Sequence, residues 1–326
     1  MRTLMLVALL GLPMLASAAQ TLLNVSYDPT RELYEQVNTS FRRYWKSQTG
    51  QDVAIKMSHG GSAAQSRAVI EGLQADVVTL GAASDIDALH SKADLLPGNW
   101  EQRLPKDSTP YTSTIVFLVR QDNPKHIRDW DDLLRPGIGV VTPNPKTSAG
   151  ARWNFLAAYA YAQARSPGNA AAAKAFVKAL FKHVSVLPSG SRAATLAFTR
   201  QEQGDVLLAW ENEAYLAIKE AGPGKFQIVE PSISMLAQPP VAVVDKNTQR
   251  HGTQKLAEAY LRYLYEPAAQ EIVAENFYRP TDAQVAARHA SQFPTIKLVN
   301  IAAFGGWAKA QADFFADGAL FDQLYE

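Results

Sequence analysis

The stretch DVAIKMSHGGSAAQSRAVIEGLQADVVTL, Asp52 to Leu80, sets the fold class of the whole chain. Its opening, DVAIKM, reads as a strand, and ADVVTL (Ala75 to Leu80) reads as another. Between them SHGGSAAQSR (Ser58 to Arg67) leads into a helix running to about Leu73, with Ser62 and Gln65 spaced as a capping box. Strand, glycine-rich turn, helix, strand is the repeating unit of an α/β sheet. The turn is also anion machinery, and two readings of it stand side by side. It could hold the developing oxyanion of an acyl transfer, with Ser62 as nucleophile. It could equally hold a finished anion that is bound and released unchanged.

The alternation extends in both directions. LLNVSY (Leu22 to Tyr27) precedes a helix from Pro29 to about Gln48, with Asp28 as N-cap and proline at the first helical position. TIVFLV (Thr114 to Val119) and IGVVT (Ile138 to Thr142) are strands, the second leading through PNPKTSAG into a helix with Trp153, Leu156 and Ala160. VSVL (Val184 to Leu187) leads through PSGS into a helix to about Gln203, and DVLLAW (Asp205 to Trp210) runs into a helix near Glu211. QPPVAVVD (Gln238 to Asp245) is a proline-headed strand where the chain could cross back between lobes. The tail, 300–326, is apolar at Phe304, Trp307, Phe314 and Phe315 and reads as a packing helix.

Five junctions share one design, at Asp28, Ser62, Ser148-Ala149-Gly150, Ser191 and Trp210. Each exposes unpaired N–H groups and the positive end of a helix dipole. In open α/β sheets such starts converge at the carboxyl edge of the strands, where ligands bind. An anion there needs no lysine or arginine beside it. Capped helices after strands are also ordinary scaffolding, and spacing alone leaves both readings open.

Residues 1–18, with Arg2, an apolar run and Ala16-Ser17-Ala18, read as a cleaved signal peptide. Cleavage removes Arg2 and leaves a formal charge of zero, so no basic field attracts nucleic acid or an acidic membrane. The absence of cysteine excludes disulfides, thiolate metal sites, a cysteine nucleophile and a lipidated cysteine. A free periplasmic protein of two domains is the expectation.

Catalytic signatures are weak. Gly60-x-Ser62-x-Ala64 lacks the last glycine of a nucleophile elbow. His59 lies near Ser62 in sequence, but no specific carboxylate is placed to orient it. The remaining histidines are scattered, no metal or cofactor is implied, and Asp85-x-Asp87 reads as a pair of solvated acids at a helix start.

Longer blocks carry a resemblance. LNVSYDPTRELY, SHGGS, ADVVTL, PYTSTIVFLVR, TPNPK, GARWN, GDVLLAWENE, GGWAKAQ and FDQ, in order from about residue 20 to Gln323, resemble periplasmic sulfate-binding proteins. These are the capture subunits of sulfate/thiosulfate ABC importers. The resemblance implies an α/β, two-lobed, type II-like periplasmic binding protein with the ligand in the inter-lobe cleft. Its expected division is a first lobe from 19–113, a second from 114–238, and 239–326 as the rest of the first lobe together with C-terminal helices. It implies backbone N–H contacts to sulfate from Asp28, Ser62, Ala149, Gly150 and Ser191, with the Ser148 hydroxyl and the Trp210 indole N–H. Ala149 stands where the family pattern has glycine, and Ser191 where it has alanine. A monomer without cofactor, passing sulfate or thiosulfate to membrane permease subunits, is implied as well. Molybdate or another tetrahedral oxyanion is the alternative ligand, and a secreted serine hydrolase using Ser62 the alternative class. Because sulfate calls for donors only, we expect the Asp28 carboxylate to cap the Pro29 helix and face away from the ligand.

Overall fold

The β-branched runs sort into two main sheets, one for each lobe. The structure, a computed structural model, describes residues 19–324. The expected signal peptide lies outside the described residues. In the first sheet Val241–Val243, Val77–Thr79, Gln20–Tyr27 and Val53–Gly60 lie side by side in that order. The last three are mutually parallel and Val241–Val243 is antiparallel. Register is what matters for the site: Tyr27 pairs with Gly60, and Ser26 with Thr79. Three strands therefore end at one edge, and the turn at Asp28 and the helix at Ser62 both start there.

The second sheet orders Val184–Val186, Val140–Val141, Val206–Trp210, Ile115–Arg120 and Phe226–Val229. Its first three strands are parallel, so the helices beginning at Ala149, Ser191 and Glu211 likewise start at a common edge. Between the sheets run two adjacent connections. Ser113 and Ala237 exchange backbone hydrogen bonds, both 2.9 Å.

The helix Ala149–Arg165 is buried along nearly its whole length, on every face. A helix apolar all round needs cover on both sides. Here one side is the second sheet; the other is the C-terminal segment. Trp153 meets the edge of Trp307 at 4.6 Å between centroids, and Phe155 packs on Phe314 and Phe315.

The structure departs from the sequence reading in the tail. It is not one helix but short pieces, Ile301–Phe304, Gly306–Ala310, Gln311–Phe315 and Leu320–Gln323. Gly305 and Gly306 at φ +77° and +84° break it, a conformation that glycine adopts without strain. Among the described residues no helix is long and apolar enough to cross a membrane.

Candidate functional site

All seven residues singled out in the sequence lie where the two sheet edges face each other. Asp28, Ser62, Ser148, Ala149, Ser191 and Trp210 are each buried, and Gly150 is buried in the first turn of its helix. The Trp210 indole N–H donates to the Ser191 hydroxyl at 3.1 Å, and the Ser191 and Ser148 hydroxyl oxygens lie 3.4 Å apart. Gly150 sits directly against both the indole nitrogen and the Ser191 hydroxyl, where a Cβ would overlap them. The Asp28 carboxylate lies equally close to Gly190. Gly61 faces the carbonyls of Thr147 and Ser189, the residues at the mouth of the two second-lobe turns.

The amides of Ser62, Ala149, Gly150 and Ser191 donate to no acceptor among the described residues, and that of Asp28 bonds its own carboxylate. Four are first-turn groups of helices and the fifth opens a 3-10 turn, so no intrahelical partner exists for them.

Direct bonds between the lobes hold this arrangement closed. The amides of Ala63 and Ala64 both donate to the Thr147 carbonyl, at 3.1 and 3.4 Å. The Trp153 indole N–H donates to the Gly81 carbonyl at 2.8 Å, and Asn212 donates to the Pro29 carbonyl. Tyr27 packs on Trp210 at 5.4 Å between ring centroids.

Two arginines stand in the first turns of second-lobe helices, where the dipole disfavours a cation. Each is paired with acids. Arg152 binds Asp85 and also donates to the Ser84 hydroxyl and the Gln311 side-chain carbonyl. Arg192 makes a two-pronged bond to Glu32 at 2.9 and 2.7 Å and also reaches Glu213. Burial alone would lower the Arg192 pKa, but Glu213 and Glu32 hold it above the ordinary value. Burial pushes Glu213 up to about 7 against the pull of Arg192, with the nearby Asp28 charge adding to the rise.

Three expectations need correction. The Asp28 carboxylate is not the N-cap of its own turn, a place held by Tyr27, and it takes only its own amide there. It crosses the cleft and accepts the Arg192 amide at 2.8 Å, capping the helix that starts at Ser191. Burial raises its pKa, and the Arg192 amide and guanidinium oppose the rise. The second correction concerns Ser62 and Gln65, which make no capping box. Gln65 donates instead to the Ser26 carbonyl and the Ser58 hydroxyl.

The third is Asp85, which is buried in an ion pair rather than solvated. It also accepts the Ser62 hydroxyl, whose oxygen takes the Gly81 N–H at 2.9 Å. That arrangement removes the nucleophile reading. The Ser62 hydroxyl spends its proton on a carboxylate, and no imidazole among the described residues hydrogen-bonds it. His59 is held neutral, its pKa lowered to about 4 by burial and then by the charge of Arg31. Among the described residues no group of three or more His, Cys, Asp or Glu side chains could hold a metal ion.

The family model for bacterial extracellular solute-binding proteins matches residues 22–279. The chain belongs to this family. Within it, a sulfate-binding protein of Salmonella typhimurium is 58% identical over 304 residues, covering 93% of this chain and 92% of its own length. A thiosulfate-binding protein of Pseudomonas aeruginosa is 47% identical over 322 residues, 98% of this chain and 97% of the relative. Among solved structures, the sulfate-binding protein of Mycobacterium tuberculosis superposes with a TM-score of 0.83 at 37% identity, covering 91% of this chain and 99% of that one. Solute-binding proteins carry a ligand between two lobes and perform no turnover, in keeping with a Ser62 hydroxyl that bonds Asp85, itself paired with Arg152, and no imidazole among the described residues.

Proposed function

We propose that this solute-binding protein captures sulfate, and thiosulfate with it, in the periplasm and passes it to the membrane permease subunits of an ABC importer. The carrying observation is the ring of donors. Four first-turn amides without an acceptor among the described residues, the Asp28 amide, one serine hydroxyl and one indole N–H all lie at the facing edges of the two sheets, which supports this reading. Both arginines in the adjoining helix turns are engaged by carboxylates. In this reading the amides of Asp28 and Ser62 come from the first lobe. Those of Ala149, Gly150 and Ser191, with the Ser148 hydroxyl and Trp210 indole, come from the second. The paired connections at Ser113 and Ala237 support a hinge there, dividing 19–113 and the chain following 239 from 114–238, with the C-terminal pieces from Ile301 packed on the second lobe's helix Ala149–Arg165. The carrier acts as a monomer, each cleft being complete within one chain.

The chemistry fits a fully deprotonated dianion. Amide and indole N–H groups donate and cannot accept. Sulfate needs donors only, whereas phosphate near neutral pH carries a proton that needs an acceptor. Leaving one buried polar group unmatched costs about 1–3 kcal/mol, one to two decades of affinity. Roughly seven charge-assisted bonds at about 1.5–3 kcal/mol each give about 10–20 kcal/mol gross. Association and ordering remove about 4–15 kcal/mol, and the remainder reaches micromolar binding.

Calorimetric titration with sulfate, thiosulfate, molybdate and phosphate is the test. Sulfate and thiosulfate are expected to bind at one site, and more tightly than molybdate or phosphate. Preference for molybdate or phosphate over sulfate would overturn the assignment.

A further inference from the structure

We infer that the Ser191 hydroxyl is a specificity-determining group that gives an otherwise donating cleft an acceptor, so that the protein tolerates singly protonated tetrahedral oxyanions. The inference rests on the reading of the cleft as a sulfate site and concerns only what this side chain adds to it.

Its position carries the argument. The Ser191 oxygen is buried and already acts as an acceptor, taking the Trp210 indole N–H at 3.1 Å. It lies 3.4 Å from the Ser148 oxygen and directly against Gly150. It therefore stands among the donors themselves, not behind them. A hydroxyl has one proton and two acceptor lone pairs, and rotation about its C–O bond chooses among partners. The other hydroxyl in the ring is more committed, because the Ser148 oxygen also accepts the Ala151 amide as the N-cap of its helix.

Consider two guests of equal charge and similar shape, sulfate and monohydrogen phosphate. With sulfate, the Trp210 N–H turns to a ligand oxygen, and the Ser191 proton is free to follow it. Removing the hydroxyl then takes away one donor but ends its competition for the indole proton. The two effects oppose each other. With monohydrogen phosphate, the ligand O–H donates to the Ser191 oxygen, and the Ser191 proton passes to the Ser148 oxygen beside it. Removing the hydroxyl leaves the ligand proton buried without an acceptor, and nothing offsets that loss.

The test is titration of sodium sulfate and sodium phosphate at about pH 8, where inorganic phosphate is chiefly the dianion. The wild type, Ser191→Ala and Ser191→Gly are compared, with thermal midpoints recorded for folding. Both substitutions keep the backbone N–H at position 191. The ratio of sulfate to phosphate affinity is expected to widen by about tenfold or more in both variants. A ratio unchanged in both variants, or one that narrows, overturns the role of the hydroxyl while leaving sulfate capture intact. Failure of the wild type to bind sulfate at all overturns the underlying reading and this inference with it.

Discussion

Gly61→Ala is expected to weaken sulfate binding by a hundredfold or more without lowering the thermal midpoint of the ligand-free protein. The backbone of Gly61, at φ −58° and ψ 134°, is open to alanine, so the first lobe itself has no reason to suffer. The obstacle lies across the cleft. A methyl group here would stand 2.5 Å from the Thr147 carbonyl oxygen and 2.6 Å from that of Ser189. Both are backbone atoms at the entrance to second-lobe helices, and no rotamer change removes them. The lobes must part, and parting also breaks the bonds from Ala63 and Ala64 to Thr147. Observed affinity scales with the fraction of molecules able to close, so a hundredfold fall in that fraction is a hundredfold fall in affinity. Comparing titrations with unfolding curves separates the cases. Unchanged affinity would mean that this contact is not part of the bound state.

Asp85→Asn is expected to cost about 3 kcal/mol of binding, again roughly a hundredfold. Asp85 on the first lobe and Arg152 on the second are almost fully buried, with side chains 6% and 2% exposed. Breaking a buried pair by neutralising one partner strands the other charge, which is why the penalty is large. Asp85 also anchors the Ser62 hydroxyl and so positions the start of its helix. The pair spans the cleft, so the loss falls on closure rather than on either lobe alone. Adding Arg152→Met to Asp85→Asn should restore part of the affinity by removing the stranded cation. A fall in ligand-free stability with affinity unchanged would instead assign the pair to the fold.

How much of this was legible in the sequence differs between backbone and side chains. Strand and helix order was readable because β-branched runs such as DVAIKM and DVLLAW end in small, polar turns. Phe226–Val229 escaped because no turn-and-helix signature follows it. The helix starts at Ser62, Ala149 and Ser191 were readable for the same reason: a backbone N–H at a helix start depends on where the helix begins, not on the residue there. Ala149 and Ser191 accordingly keep their places at the cleft. Partnerships across the lobes were not readable. Arg152 pairs with Asp85 and Arg192 with Glu32, contacts 67 and 160 residues apart in sequence. A signal did exist, since an arginine in the first turn of a helix opposes the dipole and needs an acid from elsewhere. Asp28 misled for a related reason, because its local sequence suits an N-cap while its actual partner is the amide of Arg192 on the opposite lobe.

A crystal structure of the protein with sulfate bound tests the central claim most directly. The account predicts sulfate oxygens within hydrogen-bond distance of the amides of Asp28, Ser62, Ala149, Gly150 and Ser191, the Ser148 hydroxyl and the Trp210 indole nitrogen. It also predicts Arg152 and Arg192 still turned to Asp85, Glu32 and Glu213. Either guanidinium, or any lysine, found gripping the sulfate would contradict it.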